Sequence, residues 1–137
     1  MPHIVLRYTA NLDEGPTRAD VAGLCRRLAD TLAAMRDEDG SRVFSPGGVR
    51  VMAYPAPYFA VGEGSADTAF VHIHLRMGRG RSQNVRDATG DALRSAAHAH
   101  LAPLLAARSV GLTLQIEESR EIYSARFGNL HRQFGRG

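Results

Sequence analysis

Polar and apolar residues alternate from the start of the chain. His3, Val5 and Arg7 fall on one side of an extended segment, and Ile4, Leu6 and Tyr8 on the other. That period predicts a strand with one face turned to a core. The pattern then recurs: Pro2-His3-Ile4-Val5-Leu6-Arg7-Tyr8 is followed by Val71-His72-Ile73-His74-Leu75-Arg76-Met77, with His, Ile, Leu and Arg at corresponding places. A repeat of this kind marks two copies of one structural unit.

Each of these strands leads into a helical period. The first helix is predicted to begin at Thr17, with Asp20 three places on as a variant capping box, and to carry Val21, Leu24, Cys25, Leu28, Leu32 and Met35 on its apolar stripe. Asp39-Gly40 is read as its end. The second is predicted to start at Ser82, acting as its cap, and to run through Val85, Leu93 and Leu101, with Pro103 kinking or interrupting it before Leu104 and Leu105. A further strand follows each helix, at Val49 to Tyr54 and at Val110 to Glu117. The first is bounded by Pro46-Gly47-Gly48 and by Pro55 and Pro57.

The order is strand, helix, strand, twice over, which predicts an α+β (α/β-like) single domain over residues 1–137 with pseudo-repeats at about 1–57 and 67–118 and a joining loop near 55–66. Two such units can form one four-stranded mixed sheet with both helices on one face. The other sheet face is then bare, and its natural cover is another subunit, so an oligomer with sheets facing inward is expected. The tail, 119–137, is polar but ends in Phe127, Leu130 and Phe134. It either docks on a surface, a neighbour's included, or stays disordered.

Composition narrows the class. At 137 residues, 44% hydrophobic and 23% charged, the chain is ordinary for a globular domain, and no apolar run is long enough to span a membrane. There is no basic segment leading into an apolar stretch, and the single Cys25 rules out an internal disulfide, so a cytoplasmic location is expected. Cys25 falls on the apolar side of the first helix and reads as a structural thiol. Net charge is +3, with arginine supplying all 17 basic side chains. Those charges are scattered, without a basic tract interleaved with aromatics, and no nucleic-acid role is expected.

The chemistry centres on Pro2. A residue that small after Met1 normally allows the methionine to be removed, and Pro2 would then carry a secondary amine. A terminal amine titrates at roughly 7.7–8.0, and burial or a nearby cation lowers it toward the ideal for a general base at neutral pH. Other signals carry less. His72 and His74 share a strand face but have no evident third metal ligand. His98 and His100 point in different directions on a helix, as surface or interface residues. Gly78-x-Gly80 lacks the third glycine of a dinucleotide fingerprint.

Several stretches together resemble the 5-carboxymethyl-2-hydroxymuconate isomerase family of the tautomerase superfamily. They are Pro2-His3-Ile4-Val5, Gly48-Val49-Arg50, Asp67-Thr68-Ala69-Phe70-Val71-His72, Gly78-Arg79-Gly80-Arg81-Ser82, Ile116-Glu117-Glu118 and Asn129-Leu130-His131, in order along nearly the whole chain. The resemblance implies the tautomerase fold, a homotrimer, and no metal or dissociable cofactor. It implies an amino-terminal proline that shifts a proton on an unsaturated dienol tricarboxylate during homoprotocatechuate breakdown.

On that resemblance Pro2 is the acid and base, and Arg50 and Arg81 are substrate-binding residues, their guanidiniums suited to a polycarboxylate. Backbone N–H groups at the helix start after Arg81 could add anion contacts. Arg79 is a candidate third carboxylate contact, with a surface charge as its alternative. The sequence departs from the family at Met52, where a second arginine is usual, and at Tyr54-Pro55-Ala56-Pro57-Tyr58-Phe59, which replaces a tryptophan-containing stretch. That segment is expected to wall the pocket, making Tyr54 and Phe59 candidate substrate contacts. Two alternatives stay open: a tautomerase of another substrate, such as a phenylpyruvate-like enol or a dehalogenase-type reaction, and a non-catalytic trimeric binding protein.

Overall fold

The alternating strands come together as one four-stranded sheet in a computed structural model, which describes residues 1–64 and 67–134. Residues 65–66 of the joining loop and 135–137 of the tail lie outside the described residues. The strands are β1 (His3–Thr9), β2 (Arg50–Ala56), β3 (Thr68–Met77) and β4 (Ser109–Glu118), in spatial order β2-β1-β3-β4. Each half pairs in parallel, β1 with β2 and β3 with β4, as a strand-helix-strand crossover requires. The halves join antiparallel through β1 and β3, with Ile4 opposite Leu75 and Leu6 opposite Ile73. The sheet is therefore mixed.

Ile4, Leu6, Ile73 and Leu75 are all buried on the predicted face. Two helices cover it, α1 (Val21–Ala34) through Leu24, Leu28 and Leu32 and α2 (Gln83–Ala107) through Leu93, Ala97, Leu101 and Leu104. Cys25 is half-buried against this core, and burial pushes its thiol pKa up, so it is a packing residue. His100 is not free at the surface: its Nε2 lies 2.8 Å from the Asp20 carbonyl and ties α2 to the start of α1.

Three element boundaries differ from expectation. Helix α1 starts at Val21 and not at Thr17, because the Ala19 N–H donates back to the Leu12 carbonyl at 2.9 Å and holds this stretch out of the helix. Asp20 is then itself the cap, its carboxylate accepting from the Gly23 N–H at 3.0 Å. The helix ends at Ala34, short of Asp39-Gly40. Met35 is extended, and Arg36 and Arg42 both donate to the Ala33 carbonyl, closing the helix end with side chains. Pro103 neither ends nor interrupts α2, which continues to Ala107. The buried Leu101 and Leu104 on either side hold that last turn against the core.

The uncovered face is less apolar than a bare core face would be. Val5, Met52 and Phe70 are set among Arg7, His72, His74 and Arg76. Truncating Leu75, fully buried on β3, should cost about 2–5 kcal/mol. Urea unfolding of Leu75→Ala measures this; a loss well under ~1 kcal/mol would place the core elsewhere.

Candidate active site

Strand direction decides which residues meet. β1 and β2 begin, and β3 and β4 end, at the same rim of the sheet. His3 is in register with Arg50 on one side and Arg76 on the other, and the Arg50 N–H donates to the Pro2 carbonyl at 3.2 Å. Pro2 itself is buried. Arg81 reaches this rim from the turn after β3. Gly80, at φ +105°, makes the reversal that a side chain would resist. Ser82 then caps α2 by accepting from the Val85 N–H at 3.2 Å, so one helix-start donor is already engaged.

Arg81 is held in place twice. Its Nη1 donates to the Gly78 carbonyl at 2.9 Å, and its guanidinium stacks 4.7 Å from the centroid of the buried Phe44 ring. Burial draws its pKa down, against the nearby Glu118. Glu118 is in turn paired with Arg86 at 2.8 Å. Arg50 is fixed by its strand, and its Nε is buried without a hydrogen-bond partner in the chain. His3 Nε2 is in the same condition. Burial first, then Arg50, the amino terminus and Arg76, lower the His3 pKa, so the ring is neutral near pH 7.

The amino terminus lies in this field. The Met1 amine is lowered by burial first, then by Arg81 and Arg126, while Glu121 raises it and Arg50 lowers it further. Met1 stands between two cavities and lines both. One, of about 540 Å³, is bordered by His3, Arg76, Gly78, Glu121 and Tyr123. The other, of about 300 Å³, is bordered by Arg50, Phe127, Leu130 and His131. Arg126 borders both.

These walls come from the tail, which docks on its own chain. Its 3-10 turn, Leu130–Gln133, sits against the Pro46–Gly48 turn. His131 fits there because position 47 has no side chain: a Cβ on Gly47 would stand 2.6 Å from His131 Nδ1.

Pro2, Arg50 and Arg81 are thus gathered at one rim. Tyr54, Phe59 and Arg79 are not brought to them within this chain. The Tyr54 hydroxyl lies 3.0 Å from Met52 Sδ on the uncovered face, and Phe59 packs edge-on against Phe70 at 6.5 Å, near the opposite rim. Arg79 is exposed and borders a separate cavity with Arg76, Glu117 and Arg120. Phe44, Glu121 and Arg126 were not singled out in the sequence. An apolar-tipped tail was legible, but nothing marked which of its charges would point inward. Among the described residues, no three His, Cys, Asp or Glu side chains are grouped to hold a metal, and no helix is long and apolar enough to cross a membrane.

Two β-α-β units in one mixed sheet, with a proline at the head of the first strand, define a protein of the tautomerase fold. The family model described as 5-carboxymethyl-2-hydroxymuconate isomerase matches residues 2–134, and the chain belongs to that family. It is 30% identical to the 5-carboxymethyl-2-hydroxymuconate Delta-isomerase of Escherichia coli over 98% of this chain and 99% of the relative. A solved 5-carboxymethyl-2-hydroxymuconate delta-isomerase superposes with a TM-score of 0.92 at 46% identity, covering 100% of this chain and 95% of the other. The crystal structure of a 5-carboxymethyl-2-hydroxymuconate isomerase from Deinococcus radiodurans R1 gives 0.83 at 34% identity, covering 98% and 95%.

The tail's seat can be tested alone. Gly47→Ala should push the His131 ring off its turn and speed tryptic cleavage after Arg126 and Arg132 several-fold, with the sheet core intact by circular dichroism. Unchanged cleavage would mean that Gly47 does not seat the tail.

Proposed function

We propose that this chain isomerises 5-carboxymethyl-2-hydroxymuconate, with Pro2 as the general acid and base once Met1 has been removed. The observation that carries the reading is the meeting of Pro2 with Arg50 and Arg81 at one sheet rim. While Met1 is attached, the Pro2 nitrogen is a tertiary amide and cannot take a proton. Removal converts it to a secondary amine and opens the space that separates the two cavities.

The cations around the terminus favour the uncharged amine. They disfavour a further positive charge at the terminus, the direction that a general base working at neutral pH requires. In the reaction the amine takes the proton of the dienol hydroxyl. The O–H electrons form the C=O bond, the adjacent double bond moves one position along, and the distal double bond takes the proton from the prolinium at the carbon bearing the carboxymethyl group. Arg50 and Arg81 would bind carboxylates and offset negative charge developing on the dienolate. Arg81 is suited to this because Gly78 and Phe44 fix it before substrate arrives.

The change in ultraviolet absorbance of the dienol measures turnover directly. Protein whose terminal mass retains Met1 should be slower by about 10²–10⁴-fold, the usual worth of a general base, and equal rates would remove Pro2 from the mechanism. The free amine is the active form, so kcat/KM should rise with pH to a plateau, with its midpoint below the roughly 7.7–8.0 of an ordinary terminal amine. Arg81→Met removes a cation that lowers the amine, and should move that midpoint to higher pH.

The proposed assembly is a homotrimer with its sheets inward. Unburied apolar area supports association: Ile122 and Phe127 in the tail and Tyr58 beyond β2 are almost fully exposed. Sedimentation equilibrium should then return a particle of three 14.9 kDa chains, and a monomer at micromolar concentration would exclude it.

A further inference from the structure

We propose that Arg126 is a third carboxylate-binding residue, and that it holds the carboxymethyl arm of the substrate in the smaller cavity, between itself and Arg50. The inference rests on the isomerase reading for the identity of that substrate.

The substrate's name specifies three carboxylates, two on the muconate and one on the carboxymethyl arm. Arg50 and Arg81 are two of the cations proposed to hold them. Arg79, the third candidate in the sequence, borders a cavity that neither Met1 nor Arg50 reaches. Arg126 is differently placed. Apart from Met1 it is the only described residue that borders both cavities at the terminus, so it adjoins the space on either side of Met1. Among the described residues it has no ion-pair or hydrogen-bond partner, whereas Arg81 is engaged by Gly78 and Arg86 by Glu118. Its charge also acts on the terminal amine, after that of Arg81 and ahead of that of Arg50.

The two cavities differ in charged lining: Arg76, Arg126 and Glu121 border the larger, Arg50 and Arg126 the smaller. Glu121 borders the larger one and would oppose an anion there. The smaller has no carboxylate in its lining, two guanidiniums, and apolar walls from Phe127 and Leu130. A short arm with a methylene against the apolar wall and a carboxylate between Arg50 and Arg126 matches that surface.

The test compares two substrates in wild type, Arg126→Met and Arg126→Lys: the tricarboxylate, and the same dienol without the carboxymethyl arm (2-hydroxymuconate). Arg126→Met should reduce the KM preference for the tricarboxylate about tenfold, the low end for a charge-assisted contact because Arg126 is exposed, and Arg126→Lys should recover part of it. An equal effect on both substrates, or none on either, overturns the proposal. A parallel titration by calorimetry uses propane-1,2,3-tricarboxylate and pentanedioate, which need no turnover. Wild type should prefer the tricarboxylate and Arg126→Met should lose that preference. Equal preference in both proteins overturns the role of Arg126, whereas absent turnover with the expected binding overturns only the isomerase reading.

Discussion

The antiparallel ladder between β1 and β3 is the constraint on which the rest of the molecule depends. Each half, taken alone, is a two-stranded parallel pair with a helix over one side, too small to bury either. The register of Ile4 with Leu75 and Leu6 with Ile73 fuses the two apolar faces into one floor, and α1 and α2 share it. The same ladder fixes polarity. Because β3 runs against β1, the end of the second repeat's first strand lies beside the beginning of the first repeat's. The terminus, the start of β2 and the turn carrying Arg81 therefore share a rim. A parallel pairing of β1 with β3 would send Arg81 to the other end of the sheet.

Concentrating guanidiniums around an amine is unfavourable in the empty site, and the structure offsets this in different ways. Arg81 is stacked on Phe44 and donates to Gly78, so its charge is spread over a ring face and a carbonyl. Arg50 keeps a buried Nε without a partner in the chain, a cost that its place in the strand imposes. The same repulsion lowers the amine and keeps it a base. Binding an anion and activating the base are thus two effects of one charge arrangement. In the proposed reaction, substrate carboxylates, once bound, neutralise that field and raise the proton affinity of the amine when it must take the proton.

Much of this was legible in the chain, and what was not has a physical cause. The alternation of His3, Val5 and Arg7 with Ile4, Leu6 and Tyr8 names the buried face correctly, since a half-covered strand leaves no other reading. The repeat at 71–77 gives the doubled unit, and the family motifs put Arg50 and Arg81 at strand and helix starts. Helix limits were less legible because tertiary contacts set them. Leu12 draws Ala19 out of α1, and Leu101 and Leu104 hold α2 together across Pro103. Tyr54 lies in β2 and Phe59 just beyond it, but β2 runs away from the rim that carries Pro2, so proximity to Arg50 along the chain misleads. Arg126 is the reverse case, remote in sequence and adjacent in space.

That contrast separates two kinds of residue at the site. Arg50 and Arg81 are carried by the scaffold, on a strand start and a strand-to-helix turn whose geometry the core dictates. Changing their positions would require changing the sheet. Arg126 is carried by a tail seated on the glycine turn at Pro46–Gly48 through His131, with few buried contacts of its own. A chain of this design can keep its proton chemistry while its tail is altered, because the amine and the scaffold arginines do not depend on the tail for their places. On the proposed role of Arg126, substrate preference rests on the least constrained part of the fold, where substitutions cost the core least. The tail also lies over Met1, so the part of the fold that the core constrains least is the part that covers the terminus.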